Sequence, residues 1–284
     1  MTHPPDCLMC FHRRALLRQG TLFLALPCAG MSPAVARDGV DVGANSLFTK
    51  IVSAQAIEES AAQQYAQMLA KAATSNALAG KNHPQVKRLQ AIARKIIPHA
   101  LPWNPRAGHW NWEVNLIASK QINAFCMPGG KIAFYSGILE QLKLTHDEVA
   151  TVMGHEVAHA LREHARARIG KNTATGLTAG LISQALGLGQ LGQTVTHYGA
   201  QLLTLKFSRS DESEADLVGM ELAARAGFDP RAGVTLWQKM AVASKGAPPQ
   251  WLSTHPAGNT RIADIQANLP KVLPLYAPPA GQRR

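Results

Sequence analysis

The sequence predicts an α+β fold that is mainly helical and carries a small antiparallel sheet. Apolar residues recur at helical spacing over residues 52–73 and again over residues 84–98. Residues 110–116 alternate large apolar and polar side chains, and residues 131–135 follow a Pro-Gly-Gly turn, as expected of paired strands. Hydrophobic residues make up 46% of the chain and charged residues 17%, which is the composition of a globular protein.

Residues 1–36 have the pattern of an export signal. Three arginines between positions 13 and 18 precede an apolar stretch at 22–31 that is too short to span a bilayer comfortably. The tripeptide Ala-Val-Ala at 34–36 then matches the small-x-small site that signal peptidase needs. We therefore expect a signal peptide over residues 1–36 and a mature protein in the periplasm, free or associated with a membrane. The general secretory and twin-arginine routes both stay open, and an uncleaved membrane anchor is the alternative.

The rest of the chain is predicted to be one domain with a lead-in and a tail. An N-terminal helical segment covers residues 37–83, the main domain covers 84–269, and a Pro-rich tail covers 270–284. Of the four cysteines, Cys126 alone lies after residue 36, so no internal disulfide is expected. The formal net charge of +11 favours acidic partners, among them a membrane surface, and the alternative is an ordinary basic protein with scattered lysines and arginines. No nucleic-acid-binding motif accompanies this charge, so we expect no nucleic-acid partner.

The helix predicted at 145–169 contains the pattern His-Glu-x-x-His (HExxH). Its start carries a Thr-x-x-Glu capping box, and good helix formers continue until Gly170 ends it. His155 and His159 lie one turn apart on the same face of such a helix, so both imidazoles can bind one zinc ion. Glu156 beside them can take a proton from a water that the zinc activates. The alternative is a chance pair of histidines on an exposed helix.

A catalytic zinc needs a third protein ligand and one open position. The densest acidic cluster of the chain, residues 211–216, offers that ligand at the start of another predicted helix. Glu212 and Asp216 are one turn apart, so one carboxylate can bind the metal while the other accepts a hydrogen bond from a ligand histidine. The alternative is a solvated acidic helix start, since acids favour helix N-termini.

A series of ordered segments gives the chain a resemblance to a known family. Residues 84–265 contain, in order, Asn123-Ala124-Phe125, Pro128-Gly129-Gly130, His155-Glu156, His159, Ser208-Arg209, Glu212, Glu214-Ala215-Asp216, Gly227-Phe228-Asp229-Pro230, Thr254-His255-Pro256 and Arg261. With these segments the chain resembles the gluzincin metallopeptidases of the CAAX prenyl protease/HtpX family, and among them the exported single-domain bacterial members of the LoiP/BepA type. The resemblance implies a zincin-like fold with an HExxH active-site helix, Glu212 as the third zinc ligand, and Asp216 as the residue that orients a ligand histidine.

The resemblance also implies a role for His255 in the Thr-His-Pro loop. In similar members of the BepA type, a histidine at this place can fill the open position of the zinc and hold the enzyme inactive. It can instead stabilise the oxyanion of the tetrahedral intermediate, or be an ordinary loop histidine beside a proline.

Two stretches around the predicted metal helix bear on substrate access. Residues 123–131 suggest an edge strand beside the zinc helix, to which a peptide substrate would add as another strand. Cys126 within it is either a thiol sensitive to oxidation or a buried, inert one. The uncharged stretch at 172–205 predicts a helical or mobile lid over the cleft, with ordinary buried packing as the alternative.

Together these features predict a metalloendopeptidase with one Zn²⁺ per chain. The resemblance implies that its substrates are unfolded, misfolded or misassembled proteins of the cell envelope, as in protein quality control. In the predicted reaction Glu156 transfers the proton, and no covalent intermediate forms. One alternative is a holdase or assembly factor whose zinc site is latent, with little proteolysis, and another is a zinc hydrolase that acts on small molecules. The physiological substrate, the cleavage preference and the oligomeric state stay open.

Overall fold

Helices dominate the structure of this chain. The computed structural model describes residues 38–185, 202, 204–245, 248–256 and 260–277, with the backbone alone at 177–185. The predicted leader, residues 1–36, and the end of the predicted tail, residues 278–284, lie outside these ranges. The strands are β1 Glu113–Ile117, β2 Ala124–Met127 and β3 Lys131–Tyr135, and the helices are α1 Ala54–Thr74, α2 Pro84–Ile96, α3 Ser136–Gln141, α4 His146–Leu161, α5 His164–Ala185, α6 Arg209–Arg225, α7 Ala232–Ala243, α8 Gln250–Thr254 and α9 Arg261–Val272. The prediction of a mainly helical α+β fold is confirmed.

The sheet is mixed, whereas the sequence predicts an antiparallel one. Its strand order is β1-β3-β2. Strands β2 and β3 form an antiparallel hairpin around Gly129 and Gly130, both of which have positive φ. Strand β1 runs parallel to β3, with Glu113 opposite Lys131. The expected antiparallel pairing of β1 with β3 is wrong because β2 takes the hairpin position beside β3 and leaves β1 the opposite side.

The single helix predicted at 145–169 is two helices. Helix α4 ends just before Glu163, whose φ of 56° is a left-handed conformation that interrupts the helical path. Helix α5 begins at once with His164 and continues through Gly170, so the prediction that Gly170 stops the helix is wrong. Gly170 is instead a point of close approach, because a Cβ there would lie 2.1 Å from the carbonyl oxygen of Phe48.

Helix α4 lies at the centre of the fold. Nearly all its residues are buried, and it packs against α2, β2, α6 and α7. It crosses α6 at two glycines, where a Cβ on Gly154 would lie 2.6 Å from the carbonyl oxygen of Gly219. Because neither residue has a side chain, the two backbones touch there. The crossing is next to His155, so α6 brings its N-terminal half against the HExxH motif.

The N-terminus of α4 is anchored by the capping box that the sequence predicts. Thr145 accepts a hydrogen bond from the amide of Glu148, and the Glu148 carboxylate accepts one from the amide of Thr145 at 2.8 Å. The same carboxylate binds Lys239 at 2.6 Å and Thr235 at 2.9 Å. Glu148 therefore ties the start of α4 to α7 and helps to fix the helix that carries the candidate site.

The lid predicted over 172–205 begins as regular helix. Helix α5 extends to Ala185, whereas positions 186–201 and 203 lie outside the described residues, so the lid stays a prediction. In the part of the chain that the structure describes, no helix combines the length and the apolar character needed to cross a membrane.

Candidate metal centre

Four side chains from three parts of the fold converge on one point. His155 and His159 come from α4, Glu212 from the first turn of α6, and His255 from the residue that follows α8. Each is at most 3% exposed. One possible ligand atom from each residue lies within 4.8 Å of the other three. The structure thus brings the three predicted ligands together with the histidine of the predicted His-Pro loop.

The distances between the donor atoms suit one small tetrahedral ion. Nε2 of His155 lies 3.1 Å from Nε2 of His159 and 3.3 Å from Nδ1 of His255. Oε1 of Glu212 lies 3.0 Å from Nδ1 of His255 and 3.5 Å from Nε2 of His159. Ligands about 2.0–2.1 Å from a tetrahedral zinc ion lie about 3.3–3.4 Å from one another, so these four separations are close to those in such a shell.

The outer nitrogen of each α4 histidine already has a partner. Nδ1 of His155 lies 3.0 Å from the carboxylate of Asp216, and Nδ1 of His159 lies 2.9 Å from Nδ1 of His164. A neutral imidazole has one N–H, and an ionised carboxylate can only accept it, so the proton of His155 is on Nδ1. The lone pair on its Nε2 therefore points into the four-atom cluster. A cation bound there would satisfy this lone pair together with the other donors.

Asp216 and Glu212 share one buried arginine. The Arg261 guanidinium donates to both oxygens of Asp216, at 2.6 and 2.7 Å, and to Oε2 of Glu212 at 2.7 Å. It also lies over the ring of Trp237, 3.6 Å from the ring centroid. Burial raises the pKa of the Asp216 carboxyl, but Arg261 and His155 outweigh burial and lower this pKa to about 2. Asp216 is therefore a carboxylate and accepts the His155 proton, which is the contact predicted from the sequence.

Glu156 lies beside the donor atoms but is not one of them. Its Oε1 accepts a 2.6 Å hydrogen bond from the indole N–H of Trp251 and lies 3.6 Å from Nε2 of His255. Trp251 is fully buried in α8, so the segment that supplies His255 also holds the carboxylate of Glu156. No local spacing links Trp251 to Glu156, 95 residues earlier, so this contact could not be found from the sequence.

Burial and nearby charges shift the pKa values of His159 and His255 in opposite directions. Burial, together with His155 and His255, lowers the pKa of His159 well below its ordinary value, which keeps this imidazole neutral and able to bind a metal. Burial also acts against a proton on His255, but the carboxylates of Glu156 and Glu212 raise its pKa above the ordinary value. The two histidines therefore differ, because the surroundings favour a neutral His159 and favour a proton on His255.

A pocket beside the cluster runs along strand β2. It is lined by residues 123–128, by Glu156, His159 and His255, and by apolar side chains that include Leu205 and Phe207. Strand β2 is an edge of the described sheet, so the prediction of an edge strand beside the metal helix is confirmed. Cys126 on this strand is buried, and burial raises the pKa of its thiol well above the ordinary value. This is the inert form of cysteine rather than the reactive one.

Comparison with known proteins identifies the family. Residues 83–269 match the family model of Peptidase family M48. The chain belongs to this family. Mitochondrial metalloendopeptidase OMA1 of Arabidopsis thaliana is 40% identical over 160 residues, which are 56% of this chain and 32% of that protein. Mitochondrial metalloendopeptidase OMA1 of Schizosaccharomyces pombe is 38% identical over 192 residues, covering 66% of this chain and 54% of that protein.

A bacterial protein is among the M48 relatives as well. The beta-barrel assembly-enhancing protease of Yersinia pestis is 32% identical over 161 residues, which are 53% of this chain and 33% of that protein. The chain thus spans between about a third and about a half of these relatives. The predicted enzyme class, a metalloendopeptidase, agrees with the family and with the names of the relatives. Since these are both mitochondrial and bacterial, the narrower resemblance to the LoiP/BepA type stays a prediction.

Every residue that the sequence predicts for the site lies in or against the donor cluster of this M48 chain. Two further residues join them. His164 contacts His159, and Glu214, which has no predicted role, lies on the far side of His164. Spacing along a continuous helix gave no signal for His164, because its position depends on the interruption at Glu163.

Proposed function

We propose that this M48 member is a zinc-dependent endopeptidase in which His155, His159 and Glu212 hold the ion. The observation that supports this most is the buried set of two imidazole nitrogens and carboxylate oxygens, 3.1–3.6 Å apart. Three nitrogen and oxygen ligands with one further position are the donor set of a catalytic zinc. A zinc ion held there supplies Lewis acidity, which activates a water at neutral pH and polarises the scissile carbonyl.

Glu156 is the residue that we propose moves protons in the reaction. Trp251 donates to its Oε1 and so orients the carboxylate next to the donor cluster. In the proposed reaction Glu156 takes a proton from the attacking water and later gives it to the leaving amine. Because the water itself attacks the peptide carbonyl, the chain needs no nucleophilic side chain, and no covalent intermediate forms.

We infer that His255 closes the site in this structure. Its Nδ1 lies 3.3 Å from Nε2 of His155 and 3.0 Å from Oε1 of Glu212, which is the place of a fourth ligand. At this place the His255 side chain fills the position that a water would take beside the other three donors. Peptide hydrolysis then requires His255 to move away from the other donors. The position of Nδ1 favours this blocking role over the oxyanion role.

The substrates that we propose are unfolded or misassembled proteins of the cell envelope. An extended peptide can pair with the edge of β2 through main-chain hydrogen bonds, which makes recognition tolerant of sequence. One relative is named for assembly of β-barrels, and the predicted signal peptide would deliver this chain to the periplasm. Contact with a membrane surface agrees with the net charge of +11.

The test of this function is cleavage of casein by the chain without residues 1–36. Glu156→Gln keeps every donor atom, so it should retain zinc and lose activity by about a hundredfold to ten-thousandfold. His255→Ala should cleave faster than the wild type, because it opens the fourth position. His146→Ala, which removes an exposed histidine from the same helix, is the matched control and should leave the rate unchanged.

The outcomes separate the proposal from its alternatives. Cleavage by Glu156→Gln at the wild-type rate would contradict the proposed mechanism. Hydrolysis of small esters without cleavage of casein would favour a hydrolase of small molecules. Inactivity of both the wild type and His255→Ala, with zinc bound, would favour the holdase.

A further inference from the structure

We propose that His164 and Glu214 are positioning residues for the metal-binding state of His159. In this arrangement His164 accepts the Nδ1–H of His159 and directs its own Nε2–H toward Glu214, so that His159 presents the lone pair of Nε2 to the ion. The inference rests on the proposed function, because it assigns the support of one of the three proposed zinc ligands.

The direction of the protons follows from the two nitrogens of His159. Its Nδ1 lies 2.9 Å from Nδ1 of His164, and at this distance one nitrogen must donate and the other accept. Its Nε2 lies 3.1 Å from Nε2 of His155, inside the donor cluster. When Nε2 binds a metal, the proton of the neutral imidazole is on Nδ1. His164 therefore accepts through Nδ1 and carries its own proton on Nε2.

The second ring nitrogen of His164, Nε2, links this histidine to Glu214. This nitrogen is buried, and among the described residues it has no hydrogen-bond partner. The Oε1 atom of Glu214 lies 3.6 Å from it, on the side away from His159. A buried donor without an acceptor is unfavourable, so a small shift that closes this gap is expected when the site is ordered by the metal.

Glu214 is held by the parts of the fold that surround α4. The Arg162 guanidinium binds its Oε1 and also donates to the carbonyl oxygen of Gly43 at 2.8 Å. On α6, Glu214 lies two residues after Glu212, and positions two apart point to different sides of a helix. One helix thus supplies a metal donor on one side and the anchor of His164 on another.

The local path of the chain explains why His164 reaches His159. In a continuous helix a residue five positions later lies about 140° away around the axis, so the two rings would not meet. The left-handed conformation of Glu163 ends α4 and starts α5 at His164, which brings the two rings to 4.9 Å between centroids. Phe207 stacks on the face of the His159 ring, 4.0 Å between centroids, and limits its rotation.

The experiment measures the zinc affinity of the mature chain by competition with a chromophoric chelator. His164→Leu fills the space but offers no acceptor, and zinc affinity should fall by about 10–100-fold, as is typical when the partner of a ligand histidine is removed. His164→Asn places an oxygen near the position of Nδ1 and should recover most of the affinity. Glu214→Gln is a milder change at a more exposed side chain, so it should weaken zinc binding less than His164→Leu does. The control variant His146→Leu should leave zinc binding unchanged.

The opposite results would overturn the inference. His164 would be only a packing residue if His164→Leu and Glu214→Gln both bound zinc with wild-type affinity. The same conclusion would follow if His164→Leu and His164→Asn lost equal amounts of affinity. Nitrogen NMR of the zinc-bound protein supplies a second readout, since His159 should show its proton on Nδ1, and a proton on Nε2 would contradict the proposal. Absence of zinc from the wild type would overturn the proposed function itself, whereas loss of the His164 effect alone would leave that function standing.

Discussion

The two histidines of HExxH are supported in different ways. In the His155 arm, consisting of His155, Asp216 and Arg261, the imidazole meets a carboxylate directly, and a buried arginine binds both carboxylate oxygens. In the His159 arm, consisting of His159, His164, Glu214 and Arg162, a second imidazole lies between the ligand and the carboxylate. Glu214 is 22% exposed at its side chain, whereas Asp216 is 7% exposed.

The two arms therefore differ in how much each should contribute to folding and to metal binding. Both arms serve the same purpose, which is to leave the lone pair of Nε2 directed at the other donors. The His155 arm ends in buried charges, which are costly to leave without a partner, so it is also part of the core. In the His159 arm Arg162 is buried as well, but the Glu214 side chain is 22% exposed, so water can partly replace its partner and removal of this arm should affect metal binding more than folding.

The largest expected effect is the loss of the buried arginine. Arg261→Met leaves the carboxylates of Asp216 and Glu212 buried without their counter-ion, so the free energy of unfolding should fall by about 3–5 kcal/mol. Arg162→Met in the other arm should lower it by about 1–2 kcal/mol. Urea denaturation with chelator present measures both values without a contribution from the metal. Equal losses in the two variants would contradict the contrast between the arms.

A substitution at the crossing of α4 and α6 should disturb the contacts of both arms at once. Gly219→Ala places a Cβ 2.6 Å from the amide nitrogen of His155, so α6 must shift and carry Asp216 and Glu214 with it. We expect a loss of about 1–3 kcal/mol in the free energy of unfolding and weaker zinc binding. Gly80→Ala is the control, because nothing lies within 4 Å of a Cβ there. Unaltered zinc affinity in Gly219→Ala would show that the crossing does not position the site.

Removal of one partner from each arm tests whether the arms act independently. Asp216→Asn and His164→Leu should each weaken zinc binding by about 10–100-fold. Because each acts on its own histidine, the two losses should multiply in the double variant to within about 0.5 kcal/mol. Chelator competition on the four proteins completes the cycle. A double variant no weaker than the single ones would mean that the arms form one coupled network.

The smallest expected effect is that of the cysteine beside the site, which belongs to neither arm. Burial raises the pKa of Cys126, so at pH 8 the thiol is protonated and should not react with iodoacetamide in the folded protein. Cys126→Ser should change zinc affinity little. Mass spectrometry before and after unfolding gives the answer, and rapid alkylation of the folded chain would count against the inert thiol.

Features that depend on spacing within one helix could be predicted from the sequence. The pairs His155 with His159 and Glu212 with Asp216 are both one helical turn apart, and the structure places all four side chains at the centre. The capping box at Thr145 is likewise local and is confirmed.

Features that depend on tertiary packing could not be predicted in this way. The position of the His164 ring depends on the left-handed conformation of Glu163. Because this residue is neither glycine nor asparagine, the sequence gives no signal of a turn there. The contact of Trp251 with Glu156 joins segments 95 residues apart. The parallel pairing of β1 depends on the strand order β1-β3-β2, and periodicity along the sequence does not contain that order.

Zinc content of the chain without residues 1–36 tests the central claim most directly. After dialysis against metal-free buffer, the wild type and Glu156→Gln should each retain one zinc ion per chain, and His155→Ala and Glu212→Ala should retain almost none. Elemental analysis of the four proteins, with circular dichroism to confirm folding, gives the result. A wild type without zinc, or ligand variants that retain it when folded, would contradict the proposed metal centre.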